Sequence, residues 1–369
     1  MTTAIAQTPL HDWHAAHGGR MVDFAGWSMP VQYESIVSEH QATRTAATLF
    51  DVSHMGRLRF DSDQAPAILD RLVTRRVSDL REGRIRYGLI VDEQGGTLDD
   101  VLVYHVVGHD AQPYCLMVVN ASNREKIVAW LLDHGAGEAG FRDVTLETAM
   151  IAVQGPRAIG LVAPFLSADP GDMKYYTSTS AEFNDRPVLV SRTGYTGEDG
   201  VELIVPTGAA EPIWQTILRA GSDVGIVPAG LGSRDTLRLE AGMPLYGHEL
   251  SDQINPWQAG LDFAVNLADR EFIGRDALVR LKEDASLPQR VGLTMDRRRV
   301  PREGYQVFQV DQPVGEITSG TFSPTLDRPI AMALVSPSAT DVGTDLTVDI
   351  RGSRLPAQVV KLPFYTRRK

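Results

Sequence analysis

The chain has 369 residues, a hydrophobic fraction of 43%, a charged fraction of 22% and a formal net charge of -11. That is the profile of a soluble globular protein with two or three domains. So acidic a chain is ill suited to sequence-independent nucleic-acid binding, which needs surplus Lys and Arg against phosphate. No apolar run approaches the roughly 20 residues that span a bilayer, so neither nucleic acid nor membrane is an expected partner.

In chain order, the N-terminal MTTAIAQTPLHDWH has neither a basic, apolar-cored leader nor an Arg-rich transit pattern, so the expected location is cytoplasmic. Residues 34–50 read as a helix, and Ala67 to Val73 as a short amphipathic one. Thr97 to Val107 and Tyr114 to Val119 are β-rich runs separated by GHDAQP, which predicts a hairpin. The single cysteine, Cys115, lies in the second run and reads as a buried, inert thiol. Asn123 to Gly135 follows as a helix that Gly135 stops. Met150 to Val153 is a short buried strand, broken at Gly155 and Pro156, where a helix can start.

PVLVS and VELIVP are strands, and Arg192 to Leu203 (RTGYTGEDGVEL) carries three glycines among Tyr195, Glu198, Asp199 and Glu202. A plain hairpin needs one or two glycines; the surplus points to a binding loop whose backbone a ligand approaches closely. Ala210, Ile213, Trp214, Ile217 and Leu218 fall at helical spacing, with Pro212 near the start. Gly232 to Gly242 is a second helix pattern, carrying Arg234, Asp235, Arg238 and Glu240. From about residue 280, after a linker at Lys282 to Gln289, evenly spaced short strands predict a small all-β barrel or sandwich. The basic run Arg297 to Arg302 reads as a solvated loop or as a dock for an acidic carrier or a polyglutamate tail. Strands and helices before it do not alternate as βαβ units, so the class is α+β.

No phosphate-binding loop, GxSxG elbow, HExxH or CxxC is present. His105 and His109 flank a turn instead of sharing a helix face, so no metal is expected. His54 has no nucleophile beside it and reads as a buried, hydrogen-bonded structural residue. What remains is polar clusters in apolar surroundings: VDFAGWSMPVQY, FDVSHMG, GGTLDDVLVY, MVVNASN and GSRDTLRLEAG. Adjacent strand residues face opposite sides, so one of Asp99 and Asp100 can point inward while the other does not. Carboxylates, an amide, an arginine and aromatic or thioether surfaces suit a flat heteroaromatic ligand with an anionic tail, as a pterin cofactor has.

These segments, together with IAVQGP, RTGYTGEDGVEL, GLGSRDTLRLEAGMPLYGHEL and ITSGTFSPTL, resemble the aminomethyltransferase (T protein) family of the glycine cleavage system. The resemblance covers nearly the whole chain in unbroken order. It implies a three-domain ring, or cloverleaf. Its folate-binding domain 1 is discontinuous (1–50 plus 146–280), domain 2 spans 51–145, and the C-terminal β-barrel domain spans 281–369. It also implies an enzyme with tetrahydrofolate as co-substrate, no metal, and the lipoylated H protein as partner. The reaction moves an aminomethyl carbon from the dihydrolipoyl group to tetrahydrofolate, releasing ammonia and forming 5,10-methylenetetrahydrofolate. Carried over by motif, Asp99 is the essential acid, and Tyr195 and Glu202 contact the pterin. Arg234 meets the glutamate tail, Met55, Tyr87 and Asn120 line the site, and Arg367 also approaches the tail. The alternatives within this architecture are another tetrahydrofolate-dependent demethylase or a folate-binding module without transferase activity. The absence of cysteine from the 192–203 loop sets the chain apart from the iron–sulfur repair relatives. Phe263 stands where the family commonly has tryptophan.

Overall fold

Burial alternates along the strand Thr97–Val107: Thr97, Asp99, Val101 and Val103 are buried, while Leu98, Asp100 and Leu102 are only partly so. This period of two sorts the strand into two faces, and the rest of the fold follows from what covers each. The computed structural model describes residues 5–296 and 299–367; Arg297 and Arg298 of the basic run therefore lie outside the described residues. Thr97–Val107 pairs antiparallel with Ile85–Val91 and Pro113–Val119, and Gly56–Phe60 and Phe141–Asp143 complete a five-stranded sheet. On one face Leu58, Phe60, Val101, Val103 and Met117 form a core under the helices Ala65–Leu72 and Arg124–Asp133. The other face meets a six-stranded sheet through Phe50, Ile85, Tyr104, Leu116, Met150 and Ile204.

The six-stranded sheet runs Ser178–Phe183, Arg186–Ser191, Gly200–Pro206, Thr148–Gln154, Thr48–Asp51, Val227–Ala229. Only its last pair is parallel. The helix Ala210–Ala220 lays Ile213, Trp214 and Ile217 into its far face, all fully buried, as the spacing of those residues predicts. The C-terminal strands close into a six-stranded barrel filled by Val291, Leu293, Val307, Ile317, Val348 and Val359. The class is α+β with a C-terminal β-barrel. Among the described residues, no helix is long and apolar enough to cross a membrane.

The helix expected over 34–50 spans only Ile36–Thr45, with Ser35 as its N-cap accepting from the Ser38 N–H at 3.0 Å. After it, Thr48–Asp51 is a wholly buried strand of the six-stranded sheet. The apolar residues of TLF fit either periodicity, and burial on both faces chose the strand.

Two buried polar clusters brace the six-stranded sheet, the first on the face that carries Leu49 and Trp214. The Asp51 carboxylate accepts from Thr8 Oγ1 at 2.6 Å, and its other oxygen accepts from the Ser53 N–H at 2.9 Å. His14 Nε2 lies 2.9 Å from Asp51, and Tyr33 Oη lies 2.7 Å from His14 Nδ1. Burial alone pushes Asp51 up, but His14, Ser53 and Thr8 together outweigh it and hold the carboxyl down at about 2. A folded-state value below the unfolded one stabilises above the unfolded pKa and fades as pH falls toward the folded one. The stability gap between the native chain and Asp51→Asn is therefore expected to be about 2 kcal/mol and constant from neutrality to about pH 5. It should narrow below about pH 4, as read by denaturant unfolding at each pH; a gap that widens on acidification contradicts this assignment.

Arg57, fully buried, donates to the Ser53 carbonyl at 3.1 Å, the Met55 carbonyl at 2.6 Å and Thr148 Oγ1 at 2.7 Å. It ties the turn carrying His54 and Met55 to the neighbouring strand. Arg57→Met strands several buried acceptors, so a loss of about 3 kcal/mol or more is expected in urea unfolding. A loss below about 1 kcal/mol would show that water replaces the guanidinium.

Candidate active site

A cavity of about 1050 Å³ lies where the two sheets, the helix Leu231–Glu240 and the barrel converge. Its wall includes Met55, Tyr87, Asp100, Asn120, Tyr195, Glu202 and Arg234. The chain thus brings to one place six of the residues singled out from sequence, from segments as far apart as 55 and 234.

Asp99 is not among them. It shares its strand face with Val101 and Val103, under the helices, and has no exposed surface. Its carboxylate accepts from the Asn120 N–H at 3.0 Å, Asn120 Nδ2 at 2.8 Å and Asn123 Nδ2 at 2.8 Å. The expectation that Asp99 is the acid facing the ligand is corrected: the cavity meets Asp100, one residue on and on the opposite face. Asp100 accepts from Tyr87 Oη at 3.1 Å and from Asn120 Nδ2 at 2.7 Å. Burial, then the adjacent Asp100 carboxylate, push Asp99 above the ordinary carboxylate range, and burial does the same to Asp100. The Tyr87 ring stacks on Phe263, 5.8 Å between centroids, and Phe263 is 64% exposed on the same cavity wall.

A second polar pair stands elsewhere on the wall. Glu202, on Gly200–Pro206, is buried and accepts from Thr193 Oγ1. Burial raises its pKa, and the Arg234 guanidinium opposes that rise. Arg234 lies 4.9 Å from the Tyr195 ring centre, and its buried Nη1 donates to no protein acceptor among the described residues. The Tyr195 hydroxyl is spent on the Pro244 carbonyl, which leaves the ring as its contribution to the cavity.

The glycines of the 192–203 loop also have a packing role. A Cβ on Gly194 would sit 2.0 Å from Gln154 Oε1. Gln154 is fully buried, donates to the Thr193 and Val201 carbonyls at 3.2 and 3.3 Å, and accepts from Thr196 Oγ1 at 3.0 Å. Gly197 has φ +78°, a left-handed turn position. The loop thus wraps a glutamine, and at Thr193, Gly194 and Tyr195 it also lines the cavity. Its acids are also internal partners. Glu198 meets Arg44 at 3.0 Å and accepts from Tyr365 Oη at 2.7 Å, and Asp199 pairs with Arg192 at 2.6 Å.

Arg367 pairs with Asp199 at 3.2 Å and is not part of the cavity lining, which corrects its placement at a ligand's tail. Arg290 and Arg302 line the barrel side of the cavity instead. His54 also lines the cavity; burial, then Arg234 and Arg57, keep it neutral, with a pKa of about 4 that Asp51 only partly offsets. It is buried as expected, but its Nδ1 has no hydrogen-bond partner among the described residues. Sequence reasoning missed Tyr176, Arg290 and Arg302. Nothing local marks the first two, and Arg302 was visible only as the end of a basic run. Among the described residues, no cluster of three His, Cys, Asp or Glu side chains could hold a metal.

Comparison with known proteins agrees with this architecture. Residues 10–269 match the family described as GCVT N-terminal domain, and residues 289–366 match the glycine cleavage T-protein C-terminal barrel domain. The aminomethyltransferase of Geobacillus sp. (strain WCH70) is 43% identical over 99% of this chain and 100% of its own length. That of Saccharopolyspora erythraea is 45% identical over 98% of each chain. The crystal structure of glycine cleavage system aminomethyltransferase T from Bartonella henselae superposes with a TM-score of 0.90, at 30% identity, over 99% of both chains. A mixed fold with a closed terminal barrel and a central cavity, matched end to end by these proteins, defines the class. The chain belongs to the aminomethyltransferase family of the glycine cleavage system.

Proposed function

We propose that the chain transfers the aminomethyl carbon from the dihydrolipoyl group of an H protein to tetrahydrofolate, with release of ammonia and formation of 5,10-methylenetetrahydrofolate. The observation that carries this reading is the joint presence, in one cavity, of Asp100 with its Tyr87 and Asn120 partners and of the Glu202–Arg234 pair. A carboxylate beside a guanidinium complements the edge of a 2-amino-4-oxo pyrimidine ring. Glu202 accepts from the ring's N–H groups, and the free Nη1 of Arg234 donates to its carbonyl. Arg234 therefore serves the ring and not the tail. The tail's carboxylates fall to Arg290 and Arg302 on the barrel side. Met55, Asn120 and the Tyr195 ring supply the remaining polar and apolar surface.

In the transfer, each of two folate nitrogens loses a proton as it bonds to the carbon, while the carbon–nitrogen and carbon–sulfur bonds of the donor break. One proton leaves with ammonia and the other with the dihydrolipoyl thiol. A carboxyl whose pKa is raised by burial can both take and return such a proton, which is the role of Asp100. The two sheets and the barrel also support the division into a discontinuous first domain, an inserted second and a barrel.

A coupled assay tests the reading: aminomethylated lipoyl carrier and tetrahydrofolate, with ammonia and methylenetetrahydrofolate followed together. Equal yields of the two are expected. Tight folate binding with neither product would favour a binding module instead, and turnover of a free methylated small molecule would favour a demethylase.

A further inference from the structure

We propose that Asp99, sealed behind the cavity wall, is a positioning residue for Asp100 and acts through the Asn120 amide that both carboxylates share. The inference rests on the reading of Asp100 as the proton-handling group. Asn120 follows directly on the strand Pro113–Val119. Its Nδ2 lies 2.8 Å from Asp99 Oδ1 and 2.7 Å from Asp100 Oδ1, and its own N–H donates to Asp99 Oδ2 at 3.0 Å. An amide nitrogen has two protons, and here each goes to a different carboxylate. Asp99 thus fixes the backbone and side chain of Asn120, and the proton left over is aimed at Asp100.

Asn123 gives Asp99 a third donor at 2.8 Å. With its oxygens accepting from three N–H groups and no exposed surface, Asp99 has no route to substrate. Its place in the chemistry is indirect. It holds the amide that holds Asp100, and its negative charge makes Asp100 keep a proton to higher pH. The charge on either carboxylate opposes ionisation of the other, so the proton that the pair takes up belongs to both. Other groups also bear on the pair. Asp99 is faced by Lys126, from the helix Arg124–Asp133, and by Tyr246 from the loop after Leu231–Glu240, and both of these also feel Asp252. Asp100 is faced by the hydroxyls of Tyr87, Tyr176 and Tyr195. Lys126 is the cation of this group, and its Nζ donates to the Leu98 carbonyl at 2.7 Å and to Tyr246 Oη at 2.8 Å.

The test is the pH dependence of kcat in the full transfer reaction. Asp99→Asn removes the charge behind Asp100, so the limb governed by Asp100 moves to lower pH by about one unit. kcat falls by about tenfold from loosened positioning, with KM for tetrahydrofolate within about twofold. Lys126→Gln removes the cation and shifts the limb the opposite way, by a few tenths of a unit given its exposure. Where Asp99→Asn does not fold, Lys126→Gln decides. A limb that stays in place in the deciding variant, or moves in the wrong direction, overturns the proposal. Asp100→Asn separates the two layers. If it abolishes transfer while the limb in Asp99→Asn is unmoved, only the positioning role of Asp99 fails. If it leaves transfer intact, the reading of Asp100 fails as well.

Discussion

Asp100→Asn is expected to slow methylenetetrahydrofolate formation by about 10²- to 10⁴-fold while tetrahydrofolate affinity changes by less than about threefold. The substitution keeps the shape and the place of the side chain against Tyr87 and Asn120, and it removes the group that can gain and lose a proton. One cost is built in. The amide introduced at this position must turn its NH₂ toward one of two donors, so some loss of order is expected along with the loss of charge. That loss of order alone is worth about tenfold at most. Single-turnover rates with saturating carrier and folate separate the two effects. A rate within tenfold of the native enzyme would remove Asp100 from the chemistry and leave it a lining residue.

The second large effect falls on binding. Arg234 carries a buried N–H with no protein acceptor among the described residues, and it shares the cavity with the Glu202 carboxylate, which accepts from Thr193 Oγ1. A charged hydrogen bond from such a group is worth about 1.5–3 kcal/mol, so Arg234→Met should weaken tetrahydrofolate binding by about 10- to 150-fold. Glu202→Gln should weaken it as well, because the amide presents a donor where the ring also donates. Since one edge of one ring joins both residues, the double variant should bind better than the product of the two single losses predicts. Strict additivity would mean that Glu202 and Arg234 do not read the same ring. Calorimetric titration of folate into each variant gives all four values.

Local order along the chain was legible where packing agreed with periodicity. The hairpin over residues 97–119 follows from β-branched runs and a polar turn, and Trp214 falls on the buried stripe that its spacing predicts. The helix over 34–50 was overdrawn because TLF suits a strand as well as a helix, and only the sheet beside it decides. The site was legible as a set of segments but not as a set of faces. Alternation says that Asp99 and Asp100 point apart. It cannot say which points to the cavity, because that depends on helices from 65–72 and 124–133 covering one side of the sheet. The packing role of the loop glycines was hidden for a related reason. The atom that excludes a side chain at Gly194 belongs to Gln154, on a strand forty residues away in sequence. Arg367 sits near a loop of the site in space but is held by Asp199, a contact that no local pattern announces.

The ring is expected to lie between Glu202–Arg234 and Asp100, and a structure of the protein crystallised with tetrahydrofolate tests this most directly. The predicted result places the pyrimidine edge in hydrogen-bond contact with Glu202 and Arg234, a reactive folate nitrogen against the Asp100 carboxyl, and Asp99 still enclosed by Asn120 and Asn123. A ring bound elsewhere in the cavity, or an Asp99 side chain turned toward it, would contradict the account.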